Sequence, residues 1–179
     1  TLHPLVPVSE VQRARAAFGS ALFSAELVSG GRFEPWLIKL GIPFVRIEAG
    51  SKALYHTGAV FASNFVVTLM DTAVQLFMQA GFSEEEAIKG LLPLVYGSVD
   101  NVARSGTAQA LTGPIARGDV TTVEKHLKAL EAFSDTRGLY KALSAATLVL
   151  AEKDKLKANP DAAAALTALL NEEDTLSER

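Results

Sequence analysis

The chain contains no cysteine, which excludes disulfides, thiolate nucleophiles and cysteine-held metals. It also lacks a phosphate loop: no Gly-x-Gly-x-x-Gly, Walker or Gly-x-Ser-x-Gly pattern occurs in its 179 residues. There is no excess of basic residues. Seventeen Lys and Arg against 20 Asp and Glu give a formal net charge of −3 and a pI near 5.6, which argues against nucleic acid as a partner. His3, His56 and His126 share no ligand spacing, and Glu84-Glu-Glu86 is explained as a helix-opening signal, so no metal site is expected. Thr1-Leu-His-Pro4 has neither the basic lead nor the apolar run of a signal peptide. With the missing cysteines, this points to a cytoplasmic protein. Starting at threonine rather than methionine suggests processing, a removed tag or an absent beginning.

What is present is a long uncharged run. No charged residue occurs from Ala53 to Met70, yet His56, Thr57, Ser63 and Asn64 stand among the apolar ones. Burying an unpaired polar group costs about 1–3 kcal/mol. These four therefore belong either to a hydrogen-bonded core or to the wall of a site. The run is about the minimum length for a bilayer span, but His56, Ser63 and Asn64 would be poorly placed in lipid. No basic cluster or aromatic belt flanks it, and no membrane is expected. The reading is instead a helix buried on nearly all sides, which in a chain this small often implies a second subunit.

Two textures divide the sequence, at about residue 50. In 1–49, Leu5-Val-Pro-Val8 reads as a strand end, and Ser9-Glu-Val-Gln12 as a capping box opening a helix to about Phe18. Ala21–Val28 reads as a strand, Ser29-Gly-Gly31 as a turn, and Glu34-Pro35 as the first turn of a short helix ending at Gly41. Pro43–Ile47 is the next strand. The alternation is that of an α/β domain, but it is too short to form a doubly wound sheet alone. Residues 50–179 read as about six helices. The first spans about Ser51–Ala80. Ser83-Glu-Glu-Glu86 caps the second, which reaches about Arg104 with a kink at Pro93. Leu111–Asp119 is a loop dense in turn residues. Helices follow from Asp119 or Thr121 to about Phe133, from Ser134 or Asp135 to about Lys157, and from Asn159-Pro160 to about Asn171. Glu172–Arg179 is a charged tail expected to fray.

Two groups of residues could carry chemistry. Lys52 and His56 lie four apart on one helix face, with Ser63 and Asn64 roughly in line. A lysine or histidine there could protonate a carbonyl or imine, and an amide could orient substrate. The competing reading makes Lys52 a solvated first-turn residue and His56 a hydrogen-bonded core histidine. In Thr112-Gly-Pro-Ile-Ala-Arg-Gly-Asp119, Gly113 and Gly118 permit close backbone approach, and Arg117 is a ready carboxylate or phosphate partner. The competing reading is an interhelical turn with a solvated arginine.

Several segments together resemble a known family: His3-Pro-Leu5, Lys52-Ala-Leu-Tyr-His56, Ala59-Val-Phe-Ala-Ser-Asn64, Leu92-Pro-Leu94 and Ala110–Asp119. The resemblance is to bacterial NAD(P)-dependent oxidoreductases that join a Rossmann domain to a helical C-terminal domain of unknown function, number 2520. It covers about residues 1–150. That family is a distant relative of pyrroline-5-carboxylate reductase, ketopantoate reductase and the C-terminal part of 6-phosphogluconate dehydrogenase. The resemblance implies a mainly α chain, with a 6-phosphogluconate dehydrogenase C-terminal-like helical domain at 50–179 after a small α/β remnant of a Rossmann sheet at 1–49. It also implies a homodimer formed through the long helix, and NAD(P) as cofactor. Lys52 and His56 would be catalytic, and Ser63, Asn64, Thr112 and Arg117 would bind a small-molecule substrate. This chain departs from the pattern where the first strand, glycine-rich turn and following helix should be. Alone it is expected to be inactive. The expected function is the substrate-binding and dimerisation part of an oxidoreductase acting on a C=O or C=N bond. The alternative is a non-catalytic helical dimeric module that binds a small ligand or partner protein.

Overall fold

The computed structural model describes residues 1–5, 21–27 and 31–172. The expected helix after Ser9, most of the turn at 29–31 and the charged tail lie outside them. Two compact units emerge, Thr1–Ala73 and Val74–Arg179. The secondary structure is mainly helical, preceded by a small α/β part, as the sequence predicts.

In the first unit, β1 (Leu2–Pro4) pairs antiparallel with β2 (Phe23–Glu26), which pairs in parallel with β3 (Phe44–Ile47). Helix α1 (Phe33–Lys39) connects β2 to β3. Pro35 occupies its first turn, with Glu34 near the positive end of its dipole and Lys39 near the negative end. Gly41, at φ 65°, turns the chain out of it. Leu37 and Ala25 are fully buried, and Glu34 of α1 forms an ion pair with Arg46 of β3. Gly50 N–H donates to the Glu26 carboxylate at 3.0 Å, tying the turn after β3 back to β2. That bond, with help from the Thr1 hydroxyl, holds the Glu26 carboxyl below its ordinary range.

The single helix expected over about Ser51–Ala80 is two: α2 (Lys52–Ala62) and α3 (Asn64–Gln79), broken at Ser63, where φ is −130° and ψ −76°. The cause is local. Ser63 Oγ donates to the Ala59 carbonyl at 2.6 Å, the acceptor that Ser63's own N–H would use in a continuous helix. The N–H turns instead to the Val60 carbonyl at 3.3 Å. A hydroxyl inserted into the helical ladder is a recognised source of a bend.

Burial on nearly all sides does not occur. No residue of α2 is buried and only Val74 of α3 is, while Leu54 and Val67 are 77% and 70% exposed. The apolar side chains are there, but among the described residues most of them stay uncovered. By length and composition alone, Lys52–Gln79 would suffice to cross a membrane, the one such stretch among the described residues.

In the second unit, α4 (Glu84–Ala110) opens with the predicted capping box. Glu86 N–H donates to Ser83 Oγ at 3.3 Å, and Ser83 N–H to the Glu86 carboxylate at 2.9 Å. The latter bond, with the Ser83 hydroxyl donating to the same carboxylate at 2.7 Å, lowers the Glu86 carboxyl pKa. The backbone remains helical through Pro93 and leaves helical geometry at Gly106 (φ 76°, ψ 171°). The chain then re-enters the helix as far as Ala110, beyond the expected end at Ser105-Gly106. The expected loop contains a single helical turn, α5 (Pro114–Arg117), with proline at its start and left-handed Gly118 at its end. Then come α6 (Val120–Ala129), α7 (Ser134–Glu152) and α8 (Pro160–Asn171). α7 stops short of the expected Lys157 because a series of turns leads into the Asn159 cap, whose side chain accepts from Ala162 N–H at 3.2 Å. Ile115, Val123, Leu127, Leu148, Leu166 and Leu170 form the centre of this unit's core.

Candidate functional site

Lys52, His56, Ser63 and Asn64 all belong to the first unit, and all four are exposed. The alternative of a core histidine does not hold for His56 within this chain. Lys52 opens α2 and His56 follows one turn later, so both side chains leave the same helical face. Ser63 and Asn64 meet directly at the break, with 3.0 Å between the hydroxyl and the side-chain amide. Among the described residues no hydrogen bond joins Lys52 or His56 to that pair. Thr57 is accounted for locally, since its hydroxyl donates to the Ala53 carbonyl at 2.9 Å. The arrangement is a helical surface carrying a cation, an imidazole, a hydroxyl and an amide, bordered by exposed Leu54 and Phe61.

Thr112 and Arg117 belong to the second unit. Asp119 caps α6, accepting from Thr122 N–H at 3.0 Å and from Thr122 Oγ1 at 2.7 Å. These bonds, the side-chain one foremost, hold its carboxyl below the ordinary 3.8, and Arg117 assists. The Arg117 guanidinium lies 3.9 Å from that carboxylate and is mostly exposed, so its remaining donors face solvent.

The two glycines of this loop serve different ends. A Cβ on Gly118 would lie 2.8 Å from Ala162 Cβ and 3.2 Å from Leu156 Cδ2, so its close backbone approach is to the start of α8 rather than to a ligand. Gly113 has no neighbour within 4 Å, and its φ of 95° is what requires glycine there.

Thr112 also lines an open recess of about 260 Å³ with Pro114, Ile115, His126, Tyr140 and Ser144 among its walls. His126 Nδ1 lies 2.9 Å from the Tyr140 hydroxyl, the two rings meeting edge to face. Burial raises the Tyr140 pKa, and a hydrogen bond from Ser144 partly offsets this. Nothing in the sequence marks these three residues. His126 and Tyr140 are 14 apart on different helices, and neither occurs in a motif.

A model of the family described as "Domain of unknown function (DUF2520)" matches residues 33–147. This segment holds all six predicted site residues and the three recess residues found only in the structure. No curated protein matches the chain. Among solved structures, the chain is similar to protein TM1727 from Thermotoga maritima, with a TM-score of 0.73 and 26% identity. The similarity covers 86% of this chain and 61% of that one, so the chain spans less than two thirds of the length of the solved structure it matches.

Proposed function

The chain belongs to the family of the domain of unknown function 2520, and on that premise we propose that it is the substrate-binding and dimerisation part of an NAD(P)-dependent oxidoreductase reducing a C=O or C=N bond in a small metabolite. The observation that carries the reading is the exposure left, among the described residues, on the strand–helix–strand part of the first unit. β2, α1 and β3 form a parallel strand–helix–strand unit, and parallel strands ordinarily have both faces covered by helices. Here Val45 of β3 and Trp36 and Ile38 of α1 remain exposed. A larger doubly wound domain would cover them, and its glycine-rich turn would bind the pyrophosphate. The greater length of the similar solved structure agrees with a longer natural protein.

The nucleotide does not fit this chain by itself. No Gly-x-Gly-x-x-Gly turn occurs in its sequence, so on this reading hydride transfer would belong to a longer protein. The chain's own contribution would be to position substrate. Lys52 or His56 would supply a proton, Ser63 and Asn64 would orient the reacting group, and Thr112 and Arg117 would hold substrate, the latter through an anionic group. The exposed apolar surface of α2 and α3 would be covered by a second copy in a cytoplasmic homodimer. These roles fit the kinship with pyrroline-5-carboxylate reductase and ketopantoate reductase that the motifs suggest. The same exposed surface would also serve a non-catalytic dimeric module.

Mutagenesis of the longer protein separates the two. His56→Ala and Asn64→Ala should each lower kcat/KM for NADPH-dependent reduction at least tenfold, with the circular dichroism unchanged. Unaltered kinetics in both folded variants would remove these roles and leave the module.

A further inference from the structure

We propose that the recess walled by α5, α6 and α7 binds a small uncharged hydroxyl compound, whose O–H donates to Thr147 Oγ1. The inference is independent of the oxidoreductase reading, since every residue it uses lies in the second unit and no nucleotide is involved.

The α7 wall is a helical stripe. Tyr140, Leu143, Ser144 and Thr147 follow one another at steps of three, one and three residues, so they leave α7 on one face. Pro114 and Ile115 of α5 and His126 of α6 stand among the other walls. Pro114, Ile115 and Leu143 make part of the lining apolar, which suits the hydrocarbon body of a ligand.

One point of the lining has a fixed polarity. Thr147 Oγ1 donates its only proton to the Leu143 carbonyl at 2.7 Å, so toward a ligand it is an acceptor alone. The His126–Tyr140 contact of 2.9 Å is compatible with the shared proton on either partner. A ligand for this recess must therefore meet a fixed acceptor and must also be served by both arrangements of the pair. A hydroxyl meets both conditions, because it donates and accepts. A ketone or a carboxylate only accepts, and so makes no bond with Thr147 Oγ1. An ammonium group donates, but no Asp or Glu lines the recess, and the cation would shed water there without gaining an opposite charge. The volume of about 260 Å³ falls just under the range of about 300–1,000 Å³ usual for drug-sized ligands. That suits a single ring or a short chain.

The test uses the ¹⁵N-labelled 179-residue chain with cyclohexanol as probe and cyclohexanone as its counterpart of similar shape that cannot donate. Cyclohexanol should cause saturable shifts at the Ile115, Leu143 and Thr147 amides, with a Kd about three- to tenfold lower than that of cyclohexanone. Thr147→Val keeps the branched shape and removes the acceptor, so the two compounds should then bind equally. Thr147→Ser restores a hydroxyl and should restore the preference. Circular dichroism checks that both variants keep the parent helicity. The proposal is overturned if the cyclohexanol shifts do not saturate, if cyclohexanone binds the parent chain as tightly, or if folded Thr147→Val still prefers the alcohol.

Discussion

Replacing Gly118 by alanine should destabilise the second unit by about 2–4 kcal/mol. Two costs add. Gly118 sits at φ 69°, where an L-residue is disfavoured by about 1–2 kcal/mol. The new Cβ would also lie 2.8 Å from Ala162 Cβ and 3.2 Å from Leu156 Cδ2. Both neighbours are held by the core, since Leu156 is 3% exposed and Ala162 stands at the capped start of α8. Relieving such an overlap costs about 1–3 kcal/mol. The lower entropy of the unfolded alanine chain returns about 0.4–1 kcal/mol. Gly81→Ala is the control: it has a positive φ of 100° but no neighbour within 4 Å, so it incurs only the backbone cost. Native-state hydrogen exchange at Val123 and Leu166, both fully buried in this unit, gives the readout. Gly118→Ala should accelerate exchange there by about 30- to 1,000-fold, at about 1.4 kcal/mol per decade. Exchange no faster than in Gly81→Ala would refute the packing account of this glycine.

Leu166→Ala should cost about 2–5 kcal/mol in urea unfolding of the second unit, because Leu166 is fully buried in its core; a loss below 1 kcal/mol, by the same principle about half the smallest expected, would contradict that placement. For Asp119 the folded pKa is depressed, so its stabilising contribution is present above the ordinary 3.8 and is lost as the pH falls through the lower folded value. Asp119→Asn should therefore flatten the acid limb of the stability–pH curve, and an unchanged limb would show that the cap does not act through charge. Phe61→Glu, placed on the exposed apolar surface where Phe61 packs edge-on against Phe65, should convert a dimer to a monomer in light scattering without loss of helicity. A monomeric parent chain would remove the dimer.

What the sequence made legible was local. Ser83, Asp119 and Asn159 cap the helices their side chains predict, and Gly41 ends the helix it follows, because each feature depends on residues two to four positions away. The break at Ser63 was hidden because a mid-helix serine can face solvent or bond back to the preceding turn, and only the fold selects the second. Gly118 looked like a ligand glycine until Ala162, 44 residues away, proved to be its neighbour. Lys52, His56, Ser63 and Asn64 could be named from spacing and resemblance. His126, Tyr140 and Ser144 could not, since their meeting depends on how α6 and α7 are brought together. The exposure of α2 and α3 likewise reverses what an uncharged run suggests for a lone chain.

The central claim is that this chain is the helical part of a nucleotide-dependent reductase. The most direct measurement is a fluorescence titration of NADPH with protein that includes the coding sequence upstream of Thr1, beside the same titration with the 179 residues alone. The account predicts saturable binding by the longer protein and none by the shorter. Absence of binding by the longer protein, or an upstream sequence with no strand, glycine-rich turn and helix in frame, would contradict it and turn the search to ligands of the helical module.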